Sequence, residues 1–406
     1  MSDTVVHQEA TVIKGKVKLV LILGLLTAFG PLSMDMYLPA LPNVAADLYA
    51  STSMIQLSLT TCLVGLGVGQ LVFGPLSDIH GRRKPLLLTI TIYVIASLMI
   101  AWTMNIVLFI LLRFVQGFTA AAGIVIARAS ARDLYVGKEL TKFIALLALV
   151  NGAAPILAPV IGGFVLNFTT WIGVFYVLAC IGLLMLVAVY FYLPETLSDD
   201  NRADRSILAV FKTFNQLLTD RYFMGIALTQ GFVMASMFAY IAGSPFVLQN
   251  IYGMSPQQFS FLFALNGVGI VIAAQMTGRL SSIYAEKRLL AGGVFISLFG
   301  SLLLLVVTWQ KLSLIFMSVA LFLIVSSVGI ISTTSFSLAM EQQGKSAGSA
   351  SAFLGLLPFV GGGIVSPLVG ILGDMNAKPM AVVIFISSFL ALVSLFAAFI
   401  KRRQTI

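Results

Sequence analysis

Charge is what this chain of 406 residues has least of. Lys, Arg, Asp and Glu make up 10% of it, whereas 59% is hydrophobic. An ordinary soluble chain carries about 25% charged residues and roughly 45–50% apolar ones. One chain of this length cannot build a core large enough to hide so much apolar surface from water. A soluble enzyme and a disordered or fibrous chain are therefore excluded, and a polytopic membrane protein remains. Cysteine and histidine are almost as scarce, at two each. Cys62 and Cys180 sit in apolar runs with no partner at metal or redox spacing, so both are expected as small buried hydrophobes. His7 and His80 lack a Cys or carboxylate at ligand spacing, so no metal site is expected. There is no P-loop of the G-x-x-x-x-G-K-S/T type, so ATP-driven work is not indicated, and no soluble segment is long enough to carry catalysis.

What is present is a series of apolar runs. A bilayer core of about 30 Å needs about 20 residues of helix. Runs of that length begin near Val17, Ser53, Pro85, Ile106, Thr141 and Trp171, and again near Tyr222, Gln257, Leu289, Leu312, Ala347 and Pro379. These are continuous apolar stretches without the alternation of a β-barrel. The expected fold is all-α: twelve transmembrane helices in two pseudo-symmetric six-helix bundles, residues 1–193 and 222–406, joined by a polar linker at 194–221. An amphipathic surface helix is expected within that linker at Ile207–Leu218. Lys14, Lys16 and Lys18 before the first run resemble a signal peptide, but eleven further spans make an uncleaved first helix the expectation.

The net charge of +9 would ordinarily raise the question of nucleic acid. Position decides otherwise, because 21 of the 24 basic residues fall on one side of the predicted spans. Only Lys311 and Lys378 fall on the other, and Arg113 lies inside a span. The positive-inside rule then places both termini in the cytoplasm of a cell-membrane protein. The basic balance is an orientation signal, and no nucleic-acid partner is expected.

The halves echo each other. Gly74-Pro-Leu-Ser77 closes span 2 and Gly278-Arg-Leu-Ser281 closes span 8. Ala158-Pro-Val-Ile-Gly162 in span 5 parallels Ser366-Pro-Leu-Val-Gly370 in span 11. Each pair lies about half a chain length apart, as a duplicated six-helix unit requires. Parallel repeats of this kind put a binding site near the bilayer midplane, between the halves.

Several segments carry a family likeness. Gly74-Pro-Leu-Ser-Asp78-Ile-His-Gly81-Arg82-Arg83-Lys84 resembles the loop 2–3 signature of the major facilitator superfamily. Leu108-Phe-Ile-Leu-Leu-Arg113-Phe-Val-Gln116-Gly117 resembles its span 4 signature, and Asn151-Gly-Ala-Ala-Pro155-Ile-Leu-Ala-Pro159-Val-Ile-Gly162-Gly163 the span 5 pattern of its antiporters. Asp35-Met-Tyr-Leu-Pro-Ala-Leu-Pro42, Arg132-Asp133-Leu-Tyr135 and Gly243-Ser-Pro-Phe-Val247 are similar to the Bcr/CflA drug-resistance subfamily. The resemblance implies a proton-coupled antiporter, acting as a monomer, that exports small lipophilic or cationic compounds by alternating access, with the proton gradient in place of a cofactor. It also implies a conformational gate at Gly74, Asp78, Gly81, Arg82, Asp133, Pro155, Pro159, Gly162 and Gly163. Ile79 stands where the superfamily often has Arg or Lys, which leaves Arg82 as the partner for an acid such as Asp133.

Asp35 and Arg113 are the two formally charged residues well inside spans. Such groups are costly in a bilayer and default to a functional role. Counting about 1.5 Å per residue, both sit about 10 Å from the same ends of spans 1 and 4. Asp35 is expected to be the coupling carboxylate: burial favours its protonated form and the Arg113 charge its ionised form, so opening to either side could move its proton. A static Asp35–Arg113 ion pair that only fixes packing is the competing expectation. Tyr37, Gln116, Asn151, Gln230, Phe238, Tyr240 and Asn266 are the polar or aromatic residues expected in the substrate cavity. An exporter of one metabolite, such as an amino acid, is the second reading, and a receptor or scaffold without transport the third.

Overall fold

The computed structural model describes residues 2–197, 217–341 and 347–400. Among these, twelve long helices follow one another: α1 (Ser2–Asp35), α2 (Thr52–His80), α3 (Arg83–Trp102), α4 (Ile106–Leu134), α5 (Gly137–Val165), α6 (Trp171–Tyr192), α7 (Arg221–Phe246), α8 (Pro256–Leu280), α9 (Glu286–Gln310), α10 (Leu314–Met340), α11 (Ala347–Val369) and α12 (Lys378–Ile400). Ten spans are long and apolar enough to cross a membrane. Two further apolar helical stretches, Leu149–Val165 and Phe353–Val369, lie within α5 and α11. Most of the expected surface helix at Ile207–Leu218 lies outside the described residues, as do Lys345 and Lys401–Arg403.

Local chemistry sets the boundaries. Asn105 accepts the Val107 and Leu108 N–H groups at the start of α4, and Asp220 those of Tyr222 and Phe223 at the start of α7. Ser255 and Gln258 form a reciprocal cap at the start of α8, with Pro256 at its first position. Large apolar side chains such as Leu184 (70% exposed), Phe261 (72%) and Ile315 (73%) cover the periphery, a surface that only lipid can solvate. Cys180 is also exposed there, on α6, rather than buried as its apolar run suggested; a span facing lipid is apolar on both faces, so composition does not tell them apart.

The helices form two six-helix bundles, α1–α6 and α7–α12. They meet where α2 packs on α11 and α5 on α8, two contacts that exchange when the halves are exchanged. The buried core is divided unequally along the helix axes. Toward the end opposite the basic loops one cluster runs through both bundles, from Leu38 and Phe175 to Tyr240 and Met380. Toward the basic end it separates into one cluster for each bundle. The halves are thus sealed at one end and parted at the other.

Candidate functional site

The first expectation to be corrected concerns span 1, which is not one continuous helix to Pro42. Regular helix stops at Asp35, a turn follows, and the chain resumes as a 3-10 turn Leu38–Ala40 and a short helix Leu41–Asp47. Pro39 and Pro42 lack the N–H that a continuing helix needs. The break leaves last-turn carbonyls of α1 without helical partners inside the protein. One of them, on Ser33, accepts a hydrogen bond from Arg113 Nη1 at 2.8 Å.

That bond explains a second finding, that Asp35 and Arg113 do not form an ion pair. Arg113 is fully buried and engaged elsewhere. Its Nη1 also donates to Gln116 Oε1, and its guanidinium lies 4.2 Å from the Tyr37 ring centroid and 5.8 Å from that of Phe175. Gln116 passes the chain on to Ser97 Oγ at 2.8 Å, while the Ser33 hydroxyl and Tyr93 share a hydrogen bond of 2.8 Å. Tyr37 is held by Ser58 at 2.9 Å. Asp35 is buried beside this network, feels the Arg113 charge, and has its Oδ1 without a hydrogen-bond partner. Arg113 makes both of its hydrogen bonds, to Ser33 and Gln116, through Nη1; its Nε and Nη2 are buried without a partner among the described residues, and none of its nitrogens bonds the carboxyl.

Across the seam, α7 brings Tyr240 within electrostatic range of Asp35. The Tyr240 hydroxyl accepts from Asn266 Nδ2 of α8 at 2.9 Å, and its ring stacks on Phe263 at 5.4 Å. Of the residues expected to line the substrate cavity, Tyr37, Gln116, Tyr240 and Asn266 are therefore buried in hydrogen-bonded clusters around Asp35. Gln230 is buried with Oε1 unpartnered, about 15 Å along α7 from Tyr240. Asn151 and Phe238 are half-buried, the latter 6.4 Å from Phe359 of α11. Ser33, Ser58, Tyr93 and Ser97 belong to the network and went unnoticed in the sequence; their only signal is a hydroxyl inside an apolar span.

At the basic end, Arg82 stands between two acids. Its Nη1 reaches Asp78 Oδ1 at 2.5 Å, its Nε reaches Asp133 Oδ2 at 2.8 Å, and Ser77 accepts a third bond at 2.8 Å. The start of the linker joins this cluster. Glu195 accepts the backbone N–H groups of Arg82 (2.7 Å) and Arg83 (3.1 Å) as well as those of Thr196 and Leu197, and Thr196 Oγ1 bonds Asp133. Gly81, at φ +83°, turns the chain so closely past Glu195 that a Cβ would overlap the carboxylate. Partial burial pushes the Glu195 carboxyl up, but the four backbone donors outweigh it and hold the group below its ordinary 4.5. A folded-state pKa that is depressed means stability present at neutral pH and lost as pH falls below 4.5. Glu195→Ala is expected to cost about 1 kcal/mol, as loss of a helix cap does, measured as a lower thermal midpoint at pH 7; the deficit narrows on acidification below the carboxylate range.

The span 5 residues divide by what they touch. Pro155 and Pro159 lie inside continuous α5. A Cβ on Gly162 would run into the Met36 carbonyl, next to Asp35, and one on Gly163 into Ser260 of the other bundle. Gly74 makes only ordinary contact with Val125. Four hydrogen bonds join the halves among the described residues, all toward the sealed end: Gln56 to the Ala242 carbonyl (3.1 Å), Gln249 to that of Pro39 (3.0 Å), and Gln257 to Gly163 O (3.1 Å) and Asn167 Oδ1 (2.8 Å). At the parted end a cavity of about 430 Å³ is lined by α2, α4, α5 and α11, including Gln70, Arg128, Arg132 and Phe359. None of the residues expected in the substrate cavity lines it.

This two-bundle helical architecture has counterparts among known proteins. The family profile described as Major Facilitator Superfamily covers residues 23–364. The chain is 46% identical to an uncharacterized MFS-type transporter, YdgK, of Bacillus subtilis (strain 168), over 94% of this chain and 96% of that one. It is 30% identical to a bicyclomycin resistance protein homolog of Haemophilus influenzae, over 89% and 91%. Among solved structures, a bacterial homolog of the human lysosomal transporter Spinster, inward-facing and unoccupied, superposes with a TM-score of 0.76 at 13% identity over 96% of this chain and 97% of that one. A D-xylose-proton symporter does so with 0.72 at 15% over 95% and 97%. The chain is a multi-pass membrane transporter rather than an enzyme, and it belongs to the major facilitator superfamily.

Proposed function

We propose that this protein is a proton-coupled antiporter that exports small lipophilic compounds from the cytoplasm by alternating access. The observation that carries the reading is Asp35: a buried carboxyl with an unpartnered oxygen, at a helix break between the two bundles, beside a guanidinium bound to something else. A carboxyl locked in an ion pair resists protonation, whereas this one can exchange a proton when the halves rearrange. Its neighbours Tyr37 and Arg113 belong to one bundle and Tyr240 to the other, so rocking the bundles changes its surroundings. The basic loops are assigned to the cytoplasm, which makes the parted end the loading side. Cargo enters there as the proton leaves, and the exchange reverses when the opposite end opens. The membrane potential contributes about 2.3 kcal/mol per charge per 100 mV, enough for a roughly 40-fold substrate gradient per net charge moved.

Relatives named for resistance to bicyclomycin, in Haemophilus influenzae, and to chloramphenicol, in Pseudomonas aeruginosa, support a drug-like cargo. The test is an accumulation panel in cells expressing the protein, with chloramphenicol and chemically unrelated lipophilic compounds, with and without an uncoupler. Lowered accumulation of several compounds that the uncoupler restores is expected. Export of one compound alone would point to a dedicated metabolite exporter. No substrate-dependent proton flux in proteoliposomes would overturn the proton coupling.

A further inference from the structure

The cavity at the parted end contains two guanidiniums that the coupling network does not use. Arg128 and Arg132 are one turn apart on α4, on the same face, and both line the cavity. No acid among the described residues is within ion-pairing distance of either. The nearest in sequence, Asp133, gives both oxygens to Arg82 and one also to Thr196. The charge that bears on Arg128 is that of Arg132, so two like charges face one space. The negative end of α4 accounts for Arg132 in the last turn, but its field fades within that turn and Arg128 sits about 6 Å further in. Gln70 adds a neutral polar group, and Leu71, Val125, Ile144, Leu356 and Phe359 supply apolar walls.

We infer that this vestibule binds an anionic amphiphile: a phosphate or carboxylate head forked between Arg128 and Arg132, with its apolar part against Leu356 and Phe359. Guanidiniums suit such heads because their donors match paired oxygens. The head could belong to a lipid of the basic-side leaflet or to a water-soluble amphiphile. The same charge disfavours lipophilic cations at this mouth. The site does not depend on proton coupling, since binding can be measured in protein that transports nothing, and coupling can survive its loss.

The test uses the full-length protein in neutral detergent, with dodecyl phosphate as probe and inorganic phosphate and dodecylphosphocholine as comparisons. Dodecyl phosphate is expected to raise the thermal midpoint and the other two to have much smaller effects. Arg128→Gln/Arg132→Gln should weaken its binding at least about tenfold, the equivalent of one charge-assisted hydrogen bond. Neither guanidinium has an internal partner among the described residues, so folding should survive. Arg128→Lys/Arg132→Lys, which keeps both charges but not the fork, should fall between the two and serves as the decisive variant if the first folds poorly. Equal shifts in wild type and variants, or an equal shift with dodecylphosphocholine, would overturn the site. In nanodiscs the source separates: if lipid is the occupant, phosphatidylglycerol abolishes the probe's effect and phosphatidylcholine does not, whereas a soluble amphiphile displaces both.

Discussion

Asp35→Asn is expected to yield a folded protein that no longer couples transport to protons. Asn has nearly the shape of the carboxyl and removes only its charge and its proton. The Asp35 Oδ1 has no partner to lose and Arg113 is held by Ser33 and Gln116, so the network around it should stand. In proteoliposomes with an imposed pH gradient, the wild-type substrate gradient should collapse to equilibration in the variant, a loss of roughly 40-fold per 100 mV-equivalent of drive. Exchange of labelled for unlabelled substrate, which needs no proton, should persist, distinguishing lost coupling from misfolding. Proton-driven accumulation at the wild-type level in Asp35→Asn would end the coupling proposal.

Gly162→Ala should be the most damaging single methyl group in α5. The added Cβ meets the Met36 backbone carbonyl, which cannot turn aside as a flexible side chain would. Either α1 and α5 separate, or the break at Asp35 deforms, and overpacking of this kind costs about 1–3 kcal/mol. Gly152→Ala, one face and nearly three turns away on the same helix, has nothing within 4 Å of the new atom, and is expected to leave stability unchanged or slightly raised. Thermal midpoints of the two purified variants provide the measurement. Equal midpoints would mean that α1 and α5 are free to separate without cost. Because Met36 adjoins Asp35, Gly162→Ala should also slow transport, whereas Gly152→Ala should not.

The span pattern was legible because it depends on composition alone: a helix in lipid must be apolar over a fixed length whatever it packs against. The same logic made Asp35 and Arg113 visible, since a charge in an apolar run stands out without any partner being known. The Arg82 cluster was partly legible, because Asp78 lies one turn from Arg82 and the motif brings them together. Glu195 was not, since its partners are backbone N–H groups of Arg82 and Arg83, more than a hundred residues earlier, and backbone donors leave no mark on a sequence.

What the sequence determined by itself is the membrane class, the repeated halves and the two buried charges, all consequences of the free energy of moving residues from water into lipid. What only the tertiary structure decided is what those charges do. Arg113 satisfies a carbonyl exposed by the break after Asp35 instead of binding Asp35, and Arg128 and Arg132 share a cavity without an acid. Solvation acts on each residue where it stands. A hydrogen bond or an uncompensated charge depends on which distant segments are brought within about 3 Å of each other, and only packing sets that.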